Sequence, residues 1–118
     1  MLVKYSVNIK RIYEKPMKED GMRVLVDCLW PRGVSKEKAK IDLWLKDVAP
    51  SDGLRKWFGH KEDRWEEFKN RYLEELKDKK EIVKRLELLC KKHAVSLLYA
   101  AKDETKNNAV VLRNLLSR

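Results

Sequence analysis

The sequence predicts a single-domain, layered α/β fold with a mostly parallel central sheet flanked by helices, Rossmann-like in outline. Three observations carry that prediction. Residues 94–101, Ala-Val-Ser-Leu-Leu-Tyr-Ala-Ala, are almost continuously apolar, as in a strand covered on both faces. Residues 22–29 form another strand-like run, which breaks abruptly into Trp30-Pro31-Arg32-Gly33. Between the two lie segments whose apolar residues recur at three- and four-residue steps, so strands alternate with helices. A chain of 118 residues has the length of one domain, residues 1–118, with a proper core.

Each element follows from local chemistry. Residues 2–13, rich in Val, Ile and Tyr, read as a first strand, and residues 14–21 as a turn containing Pro16 and an Asp20-Gly21 step. The second strand, 22–29, stops at Pro31 and Gly33, after which Ser35 caps a short helical turn over 36–40. Residues 41–49 read two ways. Ile41, Leu43 and Leu45 fit the period of a strand, whereas Ile41, Trp44, Leu45 and Val48 fit one face of a helix. Ser51 then caps a helix through Leu54 and Trp57, and Gly59 ends it in the left-handed conformation, with His60 just beyond.

Residues 61–76 place Trp65, Phe68, Tyr72 and Leu76 on one face, and the next segment does the same with Ile82, Val83, Leu86, Leu89 and Cys90. These are two amphipathic helices. Their outer faces set Glu67, Glu75, Glu81 and Glu87 four residues before Arg71, Lys79, Arg85 and Lys91, the favourable order for ion pairs. Residues 102–108 form a polar loop after the last strand, and 109–116 a final helix with Asn107 or Asn108 at its start.

The formal charge of +9 is spread along the chain with no basic arm or tail, and it raises the prospect of anionic partners. Heavy use of Lys and Glu with only four Gly gives a thermophile-like surface suited to ion-pair networks. Cys28 and Cys90 form no Cys-x-x-Cys pair, and with His60 and His93 the only histidines, no spacing suits a metal or haem. No phosphate loop, Gly-x-Ser-x-Gly turn or other cofactor motif occurs. Residues 1–10 lack the apolar core of a secretory signal and no stretch is long enough to cross a membrane, so the expected setting is the cytoplasm, with both thiols reduced.

If the second and last strands run parallel, the loops after them meet at one sheet edge, where open α/β sheets bind ligands. Trp30, Arg32, Lys102 and Asn107 then surround one site. The two cations suit an anionic, nucleotide-like small molecule, and Asn107 with its helix start supplies donors. Asp27, Tyr99 and His60 are the groups available for proton transfer, which suits a hydrolase or transferase working by general acid/base chemistry. Each has a structural alternative. Asp27 could form an ion pair with Arg23 or Arg32, Tyr99 could be a core tyrosine, and His60 could engage the carbonyls of the preceding helix end. Cys28 reads as a buried, inert thiol. The competing functions are a nucleic-acid-binding module, which the diffuse charge favours less, and a noncatalytic interaction protein.

Asp20-Gly21-x-Arg23-Val24-Leu25-Val26-Asp27, Leu29-Trp30-Pro31-Arg32-Gly33, Ala49-Pro50-Ser51 with Leu54-Arg55, Leu97-Leu98-Tyr99 and Asn107-x-Ala109 together resemble the YeaO-like family of uncharacterised proteins. The resemblance spans nearly the whole chain and implies an α/β fold and residence in the cytoplasm. It also implies that Asp27, Trp30, Arg32, Asn107 and Ala109 are motif positions. Two residues depart from the family pattern: Cys28 stands where an Arg is common, and Asn108 where a His is frequent.

Overall fold

The computed structural model describes residues 7–117. Among them four parallel strands, β1 (Val7–Arg11), β2 (Met22–Leu25), β3 (Leu43–Trp44) and β4 (Val95–Tyr99), make one sheet in the order β1-β4-β2-β3. The expected first strand begins at residue 2, and its part before residue 7 lies outside the described residues. β4 lies between β1 and β2, pairing Leu97 with Ile9 and Val24, and every residue of it is buried. Full burial explains why it reads as a continuous apolar run.

Alternation along the central strands divides the core in two. Val24, Val26, Val95, Leu97 and Tyr99 face a thick helical layer of α2 (Asp52–Phe58), α3 (Trp65–Lys77), α4 (Lys80–Lys92) and α5 (Asn108–Leu116). Leu25 and Leu98 face the opposite way, onto a thin layer made by the β2–β3 connection with its short helix α1 (Lys36–Ala39). Trp30 and Trp44 meet there edge to face, with ring centroids 5.4 Å apart. In the thick layer Phe58 stacks on Phe68, Tyr72 packs tilted against Phe68, and the Tyr72 hydroxyl donates to the Val48 carbonyl.

The structure revises several sequence expectations. β2 ends at Leu25 rather than residue 29, because the ladder is taken over by side chains. The Val26 N–H still donates to Leu98, but beyond it the Asp27 carboxylate takes the next N–H, that of Ala100. Residues 41–49 split between the two readings, a two-residue strand followed by a 3₁₀ turn at Lys46–Val48. Of the four expected acid–base pairs on the outer helix faces, Glu67–Arg71 closes. Glu75 instead accepts from the backbone and hydroxyl of Ser51, and Lys79 donates to the Ala49 carbonyl, so tertiary partners replace that pair.

Arg23 is 4% exposed and does not pair with Asp27. Its guanidinium donates to Asp20 at 2.6 Å and to the Ala39 carbonyl, while Lys10 reaches Asp20 from β1. Burial alone would push the Asp20 carboxyl up, but the Met17 N–H, Lys10 and Arg23 outweigh it and hold the group below 3.8. Asp20 therefore contributes stability that is present above pH 3.8 and is lost as pH falls through its lower folded value.

Gly21, between Asp20 and β2, has φ +66° and ψ −137°, a conformation open essentially to glycine alone. A Cβ there would lie 2.3 Å from the Ala94 carbonyl oxygen. Gly21→Ala is expected to destabilise the fold by about 3 kcal/mol, lowering Tm in a thermal melt by about 10 °C.

Candidate functional site

The carboxyl ends of β2 and β4 open into a cleft of about 630 Å³, within the range of small-molecule sites. The loop leaving β2 forms one wall. Its backbone is pinned by three side-chain donors: Trp44 Nε1 to the Asp27 carbonyl (2.7 Å), Trp30 Nε1 to the Val34 carbonyl (2.6 Å) and the Tyr13 hydroxyl to the Arg32 carbonyl (3.0 Å). Gly33, at φ +77°, turns the chain back. The Arg32 side chain remains exposed and makes no ion pair among the described residues.

The opposite wall comes from the loop leaving β4. Asp103 closes an Asx turn by accepting from Thr105 and Lys106, and these N–H groups hold its carboxyl below the ordinary range. Exposed Lys102 stands beside it. Arg11 braces this loop from β1, donating to the carbonyls of Ala100 and Ala101.

Asp27 joins the two walls. One carboxylate oxygen accepts from the Ala100 N–H at 2.9 Å and the other from the Asn108 amide at 3.1 Å, while the same amide also reaches the Val26 carbonyl. Burial pushes the Asp27 carboxyl up, and the hydrogen bonds from Ala100 and Asn108, with the charges of Arg55 and His60, only partly draw it back.

Of the residues expected at the site, Asp27, Trp30, Arg32, His60, Lys102 and Asn107 all line this cleft. Two are less available than the sequence suggests. Asn107 is 2% exposed and its amide is occupied at both ends, accepting from Val110 as the cap of α5 and donating to the Asp103 carbonyl. Tyr99 is absent from the lining. It shares its strand face with Leu97 and packs into the helical core, where burial pushes its phenol up. His60 is exposed at the rim in the left-handed conformation, φ +57°, with its ring 5.7 Å from that of Phe58.

Of the lining residues not expected there, two act on Asp27. Asn108 is the direct partner of Asp27. Arg55 on α2 also lines the cleft, with one terminal nitrogen 2.5 Å from Asp52 and its buried Nε without a partner among the described residues. The sequence offered a signal for Arg55 in the Leu54-Arg55 motif, but nothing in it brings α2 beside Asp27. Cys28 also lines the cleft and is half-buried, more open than an inert core thiol.

Because the Asp27 carboxyl is raised above 3.8, ionising it costs native stability as pH climbs from 3.8 through the folded value, the opposite sign to Asp20. A carboxyl NMR titration is expected to find Asp27 above and Asp20 below 3.8. Asn108→Ala removes a hydrogen bond that favours the ionised form. It should raise the Asp27 value further and cost about 1–2 kcal/mol of stability.

Comparison with known proteins gives the chain's family. The family described as the inactive DUF488-N3 subclade matches residues 6–118. An uncharacterised protein of Mycobacterium tuberculosis is 38% identical over 117 residues, covering 99% of this chain and 98% of its own. The uncharacterised protein YeaO of Escherichia coli is 40% identical over 111 residues, covering 94% and 96%. No solved structure matches. With its full-length kinship to YeaO, the chain belongs to the DUF488 family, in the branch described as the inactive N3 subclade.

Proposed function

We propose that the protein binds an anionic small molecule in the cleft between the β2 and β4 loops, without turning it over. The observation that carries this reading is the placement of two exposed cations, Arg32 and Lys102, on the two loops that line one cleft. Arg55 also lines the cleft, its guanidinium paired with Asp52. Trp30, Pro50 and Phe58 supply apolar lining, so a ligand with an anionic end and an apolar body fits the chemistry.

Binding without chemistry is favoured over a hydrolase or transferase on two grounds. The family is described as inactive. The acid/base set expected from the sequence is also depleted, since Tyr99 lies outside the cleft lining and both Asp27 oxygens hold the loops together. A nucleic-acid surface gains less support, because the exposed faces of α3 mix acids and bases, as in Glu66–Lys69 and Glu74–Lys77. No helix among the described residues is long and apolar enough to cross a membrane.

Thermal unfolding with inorganic pyrophosphate and ribose 5-phosphate tests the reading. At a hundredfold excess over Kd a ligand stabilises the native state by about 2.7 kcal/mol. At least one probe is expected to raise Tm by several degrees at low salt, and Arg32→Ala should abolish the shift while retaining a cooperative melt. The reading fails if neither probe moves the wild-type Tm.

A further inference from the structure

We propose that the floor of the cleft is a second recognition point, selecting an anion that carries an N–H-bearing heterocycle: a nucleoside monophosphate whose base donates to Asp27. The inference rests on the anion-binding reading above and adds the other end of the ligand.

The walls are tied by a carboxylate, whose charge repels a bare anion in the cleft. Asp27 lines it, with no cation within salt-bridge distance among the described residues. Its structural bonds occupy one acceptor position on each oxygen, to Ala100 and to Asn108. An ionised carboxylate offers about four such positions, so roughly two are unspent. Only a donor can use them. The other acidic residue in the lining, Asp103, spends its Oδ1 on Thr105 and Lys106 in the turn.

The surroundings of Asp27 suit a flat apolar body. Trp30 has its indole N–H committed to the Val34 carbonyl, so what it offers a ligand is ring surface. Pro31, Pro50, Ala100 and Phe58 continue the apolar lining. Arg32 and Lys102 lie on the loops beyond, where a phosphate joined to the heterocycle through a sugar finds its charge partners. A cation to phosphate, a ring to Trp30 and an N–H to Asp27 together describe a nucleotide. Inorganic phosphate or a sugar phosphate satisfies only the first.

Isothermal titration calorimetry on the full chain separates the two ends, using the four common nucleoside monophosphates, ribose 5-phosphate and inorganic phosphate. At least one nucleotide is expected to bind about tenfold or more tighter than ribose 5-phosphate, the scale of a hydrogen bond to a charged group. Asp27→Asn should erase that preference. It should also tighten ribose 5-phosphate binding, because a negative charge has left the cleft, and a misfolded variant does not gain affinity. The proposal is overturned if the wild type binds ribose 5-phosphate as tightly as every nucleotide, a result that needs no variant and leaves the anion site standing. It is equally overturned if Asp27→Asn keeps the preference. Absence of binding by all six probes overturns the anion site along with it.

Discussion

The sheet edge depends on one carboxylate spliced into a backbone ladder. Beyond Val26 the two central strands diverge, and Asp27 bridges them by accepting the Ala100 N–H that a strand carbonyl would otherwise take. Asn108 closes the other side of the link, tying the start of α5 to the end of β2. Burying a carboxylate is costly, and hydrogen bonds to a charged acceptor, worth about 1.5–3 kcal/mol each, offset that cost. The β2 loop, the β4 loop and the first turn of α5 thereby share a single anchor. The cleft is the space left between them.

That anchoring bears on how a ligand would be held. Trp30, Trp44 and Tyr13 fix the backbone of the β2 loop through their polar ends, and Arg11 fixes the β4 loop through two carbonyls. The walls are held by contacts within the chain, so little of a ligand's binding energy would go into ordering backbone. The exposed side chains of Arg32 and Lys102 stand outside this framework. They are free to reorient, with their own rotamer entropy as the main cost.

Much of this architecture is written locally in the chain. The unbroken apolar run of β4, the caps at Ser51 and Asn107 and the aromatic stripe of α3 each follow from neighbouring residues, and each forms where its pattern sits. What the sequence withheld depends on partners distant in the chain. Arg23 reaches the Ala39 carbonyl sixteen residues on, and Glu75 finds Ser51 rather than Lys79, because tertiary neighbours compete with the i,i+4 partner on equal terms. Tyr99 is a matter of parity. Alternation puts it on the face of Leu97, but which face looks onto the helices is settled only once the layers are assembled. Arg55 was legible as part of a motif and illegible as a neighbour of Asp27 for the same reason.

The link made by Asp27 also constrains chemistry. A general base takes up a proton during each turnover, and a protonated carboxyl has lost acceptor capacity and gained a donor. Here that change would fall on the group holding Ala100 and Asn108, so each proton transfer would disturb the anchor of the cleft walls. A catalytic carboxylate is better held by groups that tolerate both protonation states. Asp27 faces two N–H donors, which favour the ionised state alone. The two N–H donors draw Asp27 toward the ionised acceptor that the proposed recognition uses, against the burial that raises its carboxyl.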